Sequence, residues 1–428
     1  MKWLPSLLAA EAIPSAMITF VALLLFVQLG VGWGESTLLC ALLTLPWVLK
    51  SWLREWLQRI VAVPRALRIT EVLMCALLFA LAFSVRQPSP LPYLLFGLLF
   101  LLGILSACHM LLARAYYEQR LNTREQHYYN SWRVSFLQAF TVVTYGLTLL
   151  SVGALEVFFH KYRSPMAWSW STVICLLAGL YLVLLLLNIL CLKDDTSHPS
   201  TLNPHPSPLT PHPSSLVIRH SSFVIPALLC LFFLLLPQAL MFHTRVLFLL
   251  APVSEGGLGC SLQWIGLAQG TVGIIAFSLG LGLGHRWERK RKIFSSIKTA
   301  HVTLLLSPFV YYAMTLWPPQ TLPLLCVATF VAQFTFGLGL NACIPYIRAV
   351  SGERYSSTIN YIYIPAVALV MLLPMAISGG LAEYLGFRTF FAFDAVMALP
   401  AFLAGSWGRG IHNMYVSSFG RDRTTNTY

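Results

Sequence analysis

The chain has 428 residues, 57% of them hydrophobic and only 10% charged, with a mean hydropathy of +0.72. That balance excludes a water-soluble globular protein. A formal charge of +13 is enough to attract nucleic acid, but the basic residues are dealt out loop by loop rather than gathered in one patch, so nucleic acid is not an expected partner.

In chain order, twelve apolar runs approach the roughly 20 residues that a spanning helix needs. They are Leu7–Gly30, Ser36–Leu49, Ile69–Val85, Leu91–Ala113, Val134–Phe158, Trp168–Leu192, Phe223–Leu250, Trp264–Gly284, Val302–Leu316, Leu322–Ile347, Ile359–Leu381 and Thr389–Leu403. Glu11 and Pro14 interrupt the first, which is expected to be a retained helix rather than a cleaved leader. Basic clusters follow the second run (Lys50, Arg54, Arg59, Arg65, Arg68), the fourth (Arg114, Arg120, Arg124), the eighth (Arg286, Arg289, Lys290) and the tenth (Arg348, Arg354). The opposite loops hold few, so the positive-inside rule puts both termini in the cytoplasm. The expected fold is an all-α membrane protein of twelve transmembrane helices, embedded in the lipid bilayer of the inner (cytoplasmic) membrane.

Between the sixth and seventh runs lies a Pro-, Ser- and His-rich stretch, residues 193–222. His198, His205 and His212 recur there every seven residues, but no carboxylate or cysteine completes a metal set. It reads as a disordered cytoplasmic tether. It separates a six-helix bundle over residues 1–192 from a second over 223–407, with a cytoplasmic tail at 408–428. Nine cysteines form no C-x-x-C pair and lie mostly within apolar runs, as small core residues do.

Six helices plus six, with the largest basic loops after the second and the eighth, is a repeat signature, and the arrangement is that of the major facilitator superfamily. LGLGHRWERK (Leu281–Lys290) resembles the superfamily's loop motif G-x-L-a-D-R-x-G-R-K, with His285 and Glu288 in place of its Asp and second Gly. Lys50, Arg286, Arg289 and Lys290 are therefore candidate gating-loop residues, although topology and the helix dipole also explain such charges.

Several separated stretches resemble the muropeptide permeases, the AmpG-like branch of the peptide and acetyl-CoA transporters. They are EAIPSAMITF from Glu11, LTLPWVLKSW from Leu43, GLGCSLQWIGLAQGTVGIIAFSLG from Gly257, QFTFGLGLNA from Gln333 and SGGLAEYLGFRTFF from Ser378. The resemblance implies proton-driven uptake of anhydro-muropeptides, with helices 1, 4, 7 and 10 lining a central cavity and with no cofactor. In SACHMLLARAYYE (Ser106–Glu118), Met110 and Arg114 stand where that family keeps two acids. This departure keeps open a relative that carries another solute, or a transport-inactive sensor or scaffold.

Ionisable and amide groups inside spans are functional candidates. On the expected solute or coupling path they are Glu11, His109, Arg114, Arg133, Gln138, Gln238, His243, Arg245, Gln333 and Asn341. Glu11 and His109 lie at matching depth, about 6 Å inside their helices at ~1.5 Å per residue, so Glu11 is expected to pair with His109 or Arg114. Arg133 matches a basic residue of the resembling family and has the fork geometry to hold a carboxylate. The glycines from Gly266 to Gly284 are expected to serve close helix packing. No phosphate loop, zinc-protease helix or paired carboxylates are present, so no enzyme activity is expected. A monomer transporting a small polar solute is the expected working unit.

Overall fold

The structure is a computed structural model. It describes residues 4–57, 63–87, 91–121, 123–162, 164–192, 213–288, 293–351 and 359–397. Among them twelve helical rods run in sequence and no strand occurs. They are α1 (Leu4–Gln28), α2 (Trp33–Leu42, Leu45–Val48 and Lys50–Leu57 in three pieces), α3 (Val63–Val85) and α4 (Pro92–Arg120). Next come α5 (Thr123–Val142 through Thr148–Phe158), α6 (Pro165–Cys191), α7 (Pro213–Leu250) and α8 (Leu262–Ile265 through Ile274–Glu288). The last are α9 (Ile293–Leu316), α10 (Leu322–Ser351), α11 (Ile359–Leu385) and α12 (Phe387–Met397). Eight of the rods contain a stretch long and apolar enough to cross a membrane.

Helix starts follow local chemistry. Pro92 and Pro165 open α4 and α6, where a missing N–H costs nothing. Pro213 likewise opens α7, so this helix takes in residues 213–222, which composition assigned to the tether. Residues 193–212, with the three spaced histidines, lie outside the described residues, as do Arg289, Lys290 and the tail. Between α11 and α12 a single residue, Gly386 at φ +73°, turns the chain, and its N–H bonds to the Ala382 carbonyl. Few side chains other than glycine reach that backbone region.

Leucines such as Leu176, Leu186 and Leu190 on α6 are exposed, as a lipid-facing surface requires. Buried aromatics fill the interior, among them Trp170, Tyr181, Tyr311, Phe248 and Phe391.

Two crossings join the bundles toward the face with few basic residues. At α2–α11, a methyl group on Gly379 would lie 2.3 Å from the Trp33 carbonyl oxygen, and one on Gly34 would lie 3.1 Å from Gly380 Cα. At α5–α8, a methyl group on Gly270 would lie 2.6 Å from Gly146 Cα. An axis that relates α2 to α8 and α5 to α11 exchanges the two crossings, as in transporters built from parallel repeats.

The expected glycine packing on α8 is divided between two partners: Gly266 and Gly270 face α5, whereas Gly280 and Gly284 face α10. Gly282 meets nothing within 4 Å.

Candidate solute site and its polar surroundings

Three of the rods change pitch midway. α1 is π-helical over Met17–Val21, α5 over Val143–Leu147 and α8 over Gly266–Gly273. Such turns re-aim side chains and gather at functional sites, and here they converge. Phe20 stacks on Tyr145 with ring centres 5.1 Å apart, and Gly146 abuts Gly270.

Around this junction α7 contributes Phe242, 6.0 Å from Phe20, and Arg245, whose guanidinium lies 5.0 Å from the Phe242 ring centre. Arg245 is 5% exposed, with Nε and Nη1 buried and without a hydrogen-bond partner. Tyr145 of α5 and Tyr311 of α9 lie within electrostatic reach of it. Gln269 of α8 donates to the Tyr311 hydroxyl at 2.7 Å, and Gln333 of α10 donates to Gln269 Oε1 at 3.4 Å. The junction thus gathers aromatic rings from both bundles around a buried arginine with two unbonded nitrogens and a row of amides and phenols.

A second cluster sits nearer the basic face, in the first bundle. Arg133 donates to Glu11 at 2.6 Å, so the expected pairing of Glu11 with His109 or Arg114 is corrected. Arg114 binds Glu118 on its own helix at 2.9 Å, and His109 donates to Glu71 of α3 at 3.0 Å. Equal depth does not fix the helical face: neighbours on a helix point about 100° apart. Met110 faces α2, where Lys50 Nζ lies 2.7 Å from its sulfur, while His109 turns inward to α3. Lys50, expected in a gating loop, is instead 4% exposed. Glu11, Arg133 and Arg114 all act on its charge.

The other candidates scatter. Gln238 donates to the Leu304 carbonyl at 2.8 Å and ties α7 to α9 within one bundle. His243 is buried with its ring edge-on to Phe242. Asn341 is buried where α10 meets Gly284 of α8. Gln138 is half-buried on α5, and Arg286 is exposed at the end of α8.

Four polar side chains that matter were absent from the expected set. Tyr311 carries no formal charge, but Gln269 is an amide inside the expected run Trp264–Gly284 and bore the same signal as Gln238 and Gln333. Glu71 lies two residues inside the expected run Ile69–Val85, and because α3 begins at Val63 it stands well within the helix. Asp394 on α12 is fully buried with both carboxyl oxygens unpartnered; an acid inside an apolar run was its available signal.

No family model matches the chain, and no curated protein matches it. Solved structures do. The chain is similar to the nucleoside transporter NupG (TM-score 0.69, 12% identity, covering 96% of this chain and 98% of that one). It is also similar to a bacterial homologue of the lysosomal transporter Spinster in an inward-facing, occupied conformation (TM-score 0.68, 12% identity, 96% of each chain). A bacterial homologue of the human drug and peptide transporters PepT1 and PepT2 is a third (TM-score 0.63, 12% identity, 96% of each chain). The chain therefore has the twelve-helix fold of major facilitator transporters: a multi-pass membrane protein whose neighbours in structure are transporters rather than enzymes.

Proposed function

We propose that the chain imports an anionic polar solute, a muropeptide or related cell-wall glycopeptide, across the inner membrane by alternating access, as a monomer driven by the proton gradient. Arg245 carries this reading. A guanidinium buried with Nε and Nη1 unbonded is expensive to hold, and the cost is offset if a solute's carboxylate completes it bidentately. Phe20, Tyr145 and Phe242 offer apolar ring faces, and Gln269, Gln333 and Tyr311 offer hydrogen bonds to a sugar or peptide. Lys50 and Arg133 keep the other end of the path cationic, with Glu11 as partial counter-charge. The permease-like stretches of the sequence point the same way.

The named neighbours suggest a nucleoside or a short peptide as rival cargoes. An uncharged nucleoside would use the ring faces but leave Arg245 unanswered, and a peptide would answer it through its carboxylate. The test is uptake of labelled anhydro-muropeptide into proteoliposomes, with and without an imposed pH gradient and with nucleosides, dipeptides and sugar acids as competitors. Concentrative uptake with an inward proton gradient, competed by anionic glycopeptides, is expected. No uptake under either condition defeats the cargo reading.

A further inference from the structure

Inside the first bundle, behind the wall that carries Met110, three polar side chains meet. Glu71 of α3, His109 of α4 and Asn188 of α6 are each 0% exposed. Glu71 Oε1 accepts from His109 Nε2 at 3.0 Å and from Asn188 Nδ2 at 2.8 Å. Glu71 Oε2, His109 Nδ1 and Asn188 Oδ1 are buried and have no partner. With the imidazole proton on Nε2, as its bond to a carboxylate oxygen requires, all three of those atoms are acceptors.

We infer that this cluster is a proton-binding site set apart from the solute path. A network that only fastened three helices together would be expected to satisfy its members, whereas this one leaves three buried acceptor atoms unanswered. One added proton, on His109 Nδ1 or on Glu71 Oε2, turns a net charge of −1 into zero and converts one surplus acceptor into a donor. Charge removal is what a group must achieve to cross between two faces of a low-dielectric wall.

The surrounding groups allow it. On α3 itself Cys75 lies one turn beyond Glu71 and Arg68 one turn toward the basic face. From α6 the Tyr181 hydroxyl points to Met74 sulfur at 3.8 Å and is within electrostatic reach of Glu71. From α1 and α2, Glu11 is already held by Arg133, and Lys50 lies against Met110. Met110 is the residue next to His109, so a shift of the pair on protonation reaches the path through one neighbour.

The inference deepens the proton-driven reading above and is tested partly without the solute. Infrared difference spectra of the purified full-length protein in lipid nanodiscs, between acid and alkaline pH, are expected to lose a carboxyl signal in Glu71→Gln and to show it shifted in His109→Gln. Spectra unchanged in both variants overturn the proposal. In proteoliposomes, Glu71→Gln is expected to keep counterflow of labelled anhydro-muropeptide within about twofold of wild type while gradient-driven accumulation drops about tenfold or more. Parallel loss of both overturns it in favour of a purely structural cluster. If the wild-type protein carries no anhydro-muropeptide, the cargo reading fails by itself, and the infrared comparison still decides the proton site.

Discussion

Arg245 and Arg133 show how differently two arginines within the helices can be used. Arg133 has its acid, Glu11, at 2.6 Å, and the pair spends its charge on joining α5 to α1. Arg245 has ring faces and phenols around it but Nε and Nη1 unbonded, which is the basis for the proposed solute contact. Truncating one side of a buried charge pair typically costs about 2–5 kcal/mol. Arg245→Gln should therefore raise KM for an anionic solute about 30-fold or more. Arg245→Lys, which keeps charge but loses the fork, should fall between the two; equal KM in all three proteins would remove Arg245 from the solute site. For the other arginine the readout is stability. Glu11→Gln removes one carboxylate from a guanidinium that is 22% exposed, so the loss should not exceed the lower end of the roughly 3–5 kcal/mol seen for broken buried pairs. A thermal-melt cycle with Arg133→Gln checks it: the double variant should recover part of the loss. A buried arginine well inside an apolar run was legible from the sequence as a candidate. The partner of Glu11 was not, because spacing gives depth along a helix but not which of its faces meets a neighbour.

At the scale of the element, the twelve rods were legible because apolar length is a direct consequence of bilayer thickness. Their irregularities were not. The π turns in α1, α5 and α8 insert residues without leaving a mark on hydrophobic periodicity, yet they bring Phe20, Tyr145 and Gln269 to one place. The breaks in α2 around Leu43–Thr44 and Leu49 were foreshadowed only by Pro46, which stands at the start of the Leu45–Val48 piece. The glycines were read as a packing stripe, but their two destinations separate packing within a bundle from packing between bundles. Gly379 and Gly270 belong to the second kind, where a Cβ would strike backbone at 2.3 Å and 2.6 Å. Flexible side chains could move aside; backbone at that distance cannot. Gly379→Val and Gly270→Val should therefore disfavour the closed outer face. Cysteines introduced near Trp33 and Tyr384 should then label faster from outside in Gly379→Val than in a Gly282→Val control, whose added side chain meets open space. Equal labelling rates would mean that the crossings do not limit closure.

The molecule as a whole is two bundles whose contact toward the face with few basic residues combines close backbone approaches, the Thr37 hydroxyl, which donates to the Ala376 carbonyl and accepts from the Gly379 N–H, and the acid Glu383. Glu383, at the outer end of α11, accepts from the Trp33 and Gly34 N–H groups at 2.6 Å and 3.2 Å, so the second bundle caps a helix of the first. The two-bundle plan was foreseeable from the matching basic loops, but this latch was not, because nothing local to residue 383 announces a helix start 350 positions away. An acid at a helix N-terminus is worth about 0.3–1 kcal/mol when exposed, which is a small term beside a backbone clash. That size suits a gate, since a closed state held only a few kcal/mol below an open one can be reversed by solute binding. Glu383→Gln, which keeps the shape and loses the charge, should raise the ratio of outward-open to closed molecules by about two- to fivefold. Spin-label distances between the outer ends of α2 and α11 would show this as growth of a longer-distance population. Raising the salt concentration should narrow the difference between wild type and Glu383→Gln, because exposed charge–dipole attraction is screened, but should leave the Gly379→Val effect unchanged. If salt instead moves both variants alike, the latch is not electrostatic and uncharged contacts hold the outer face shut.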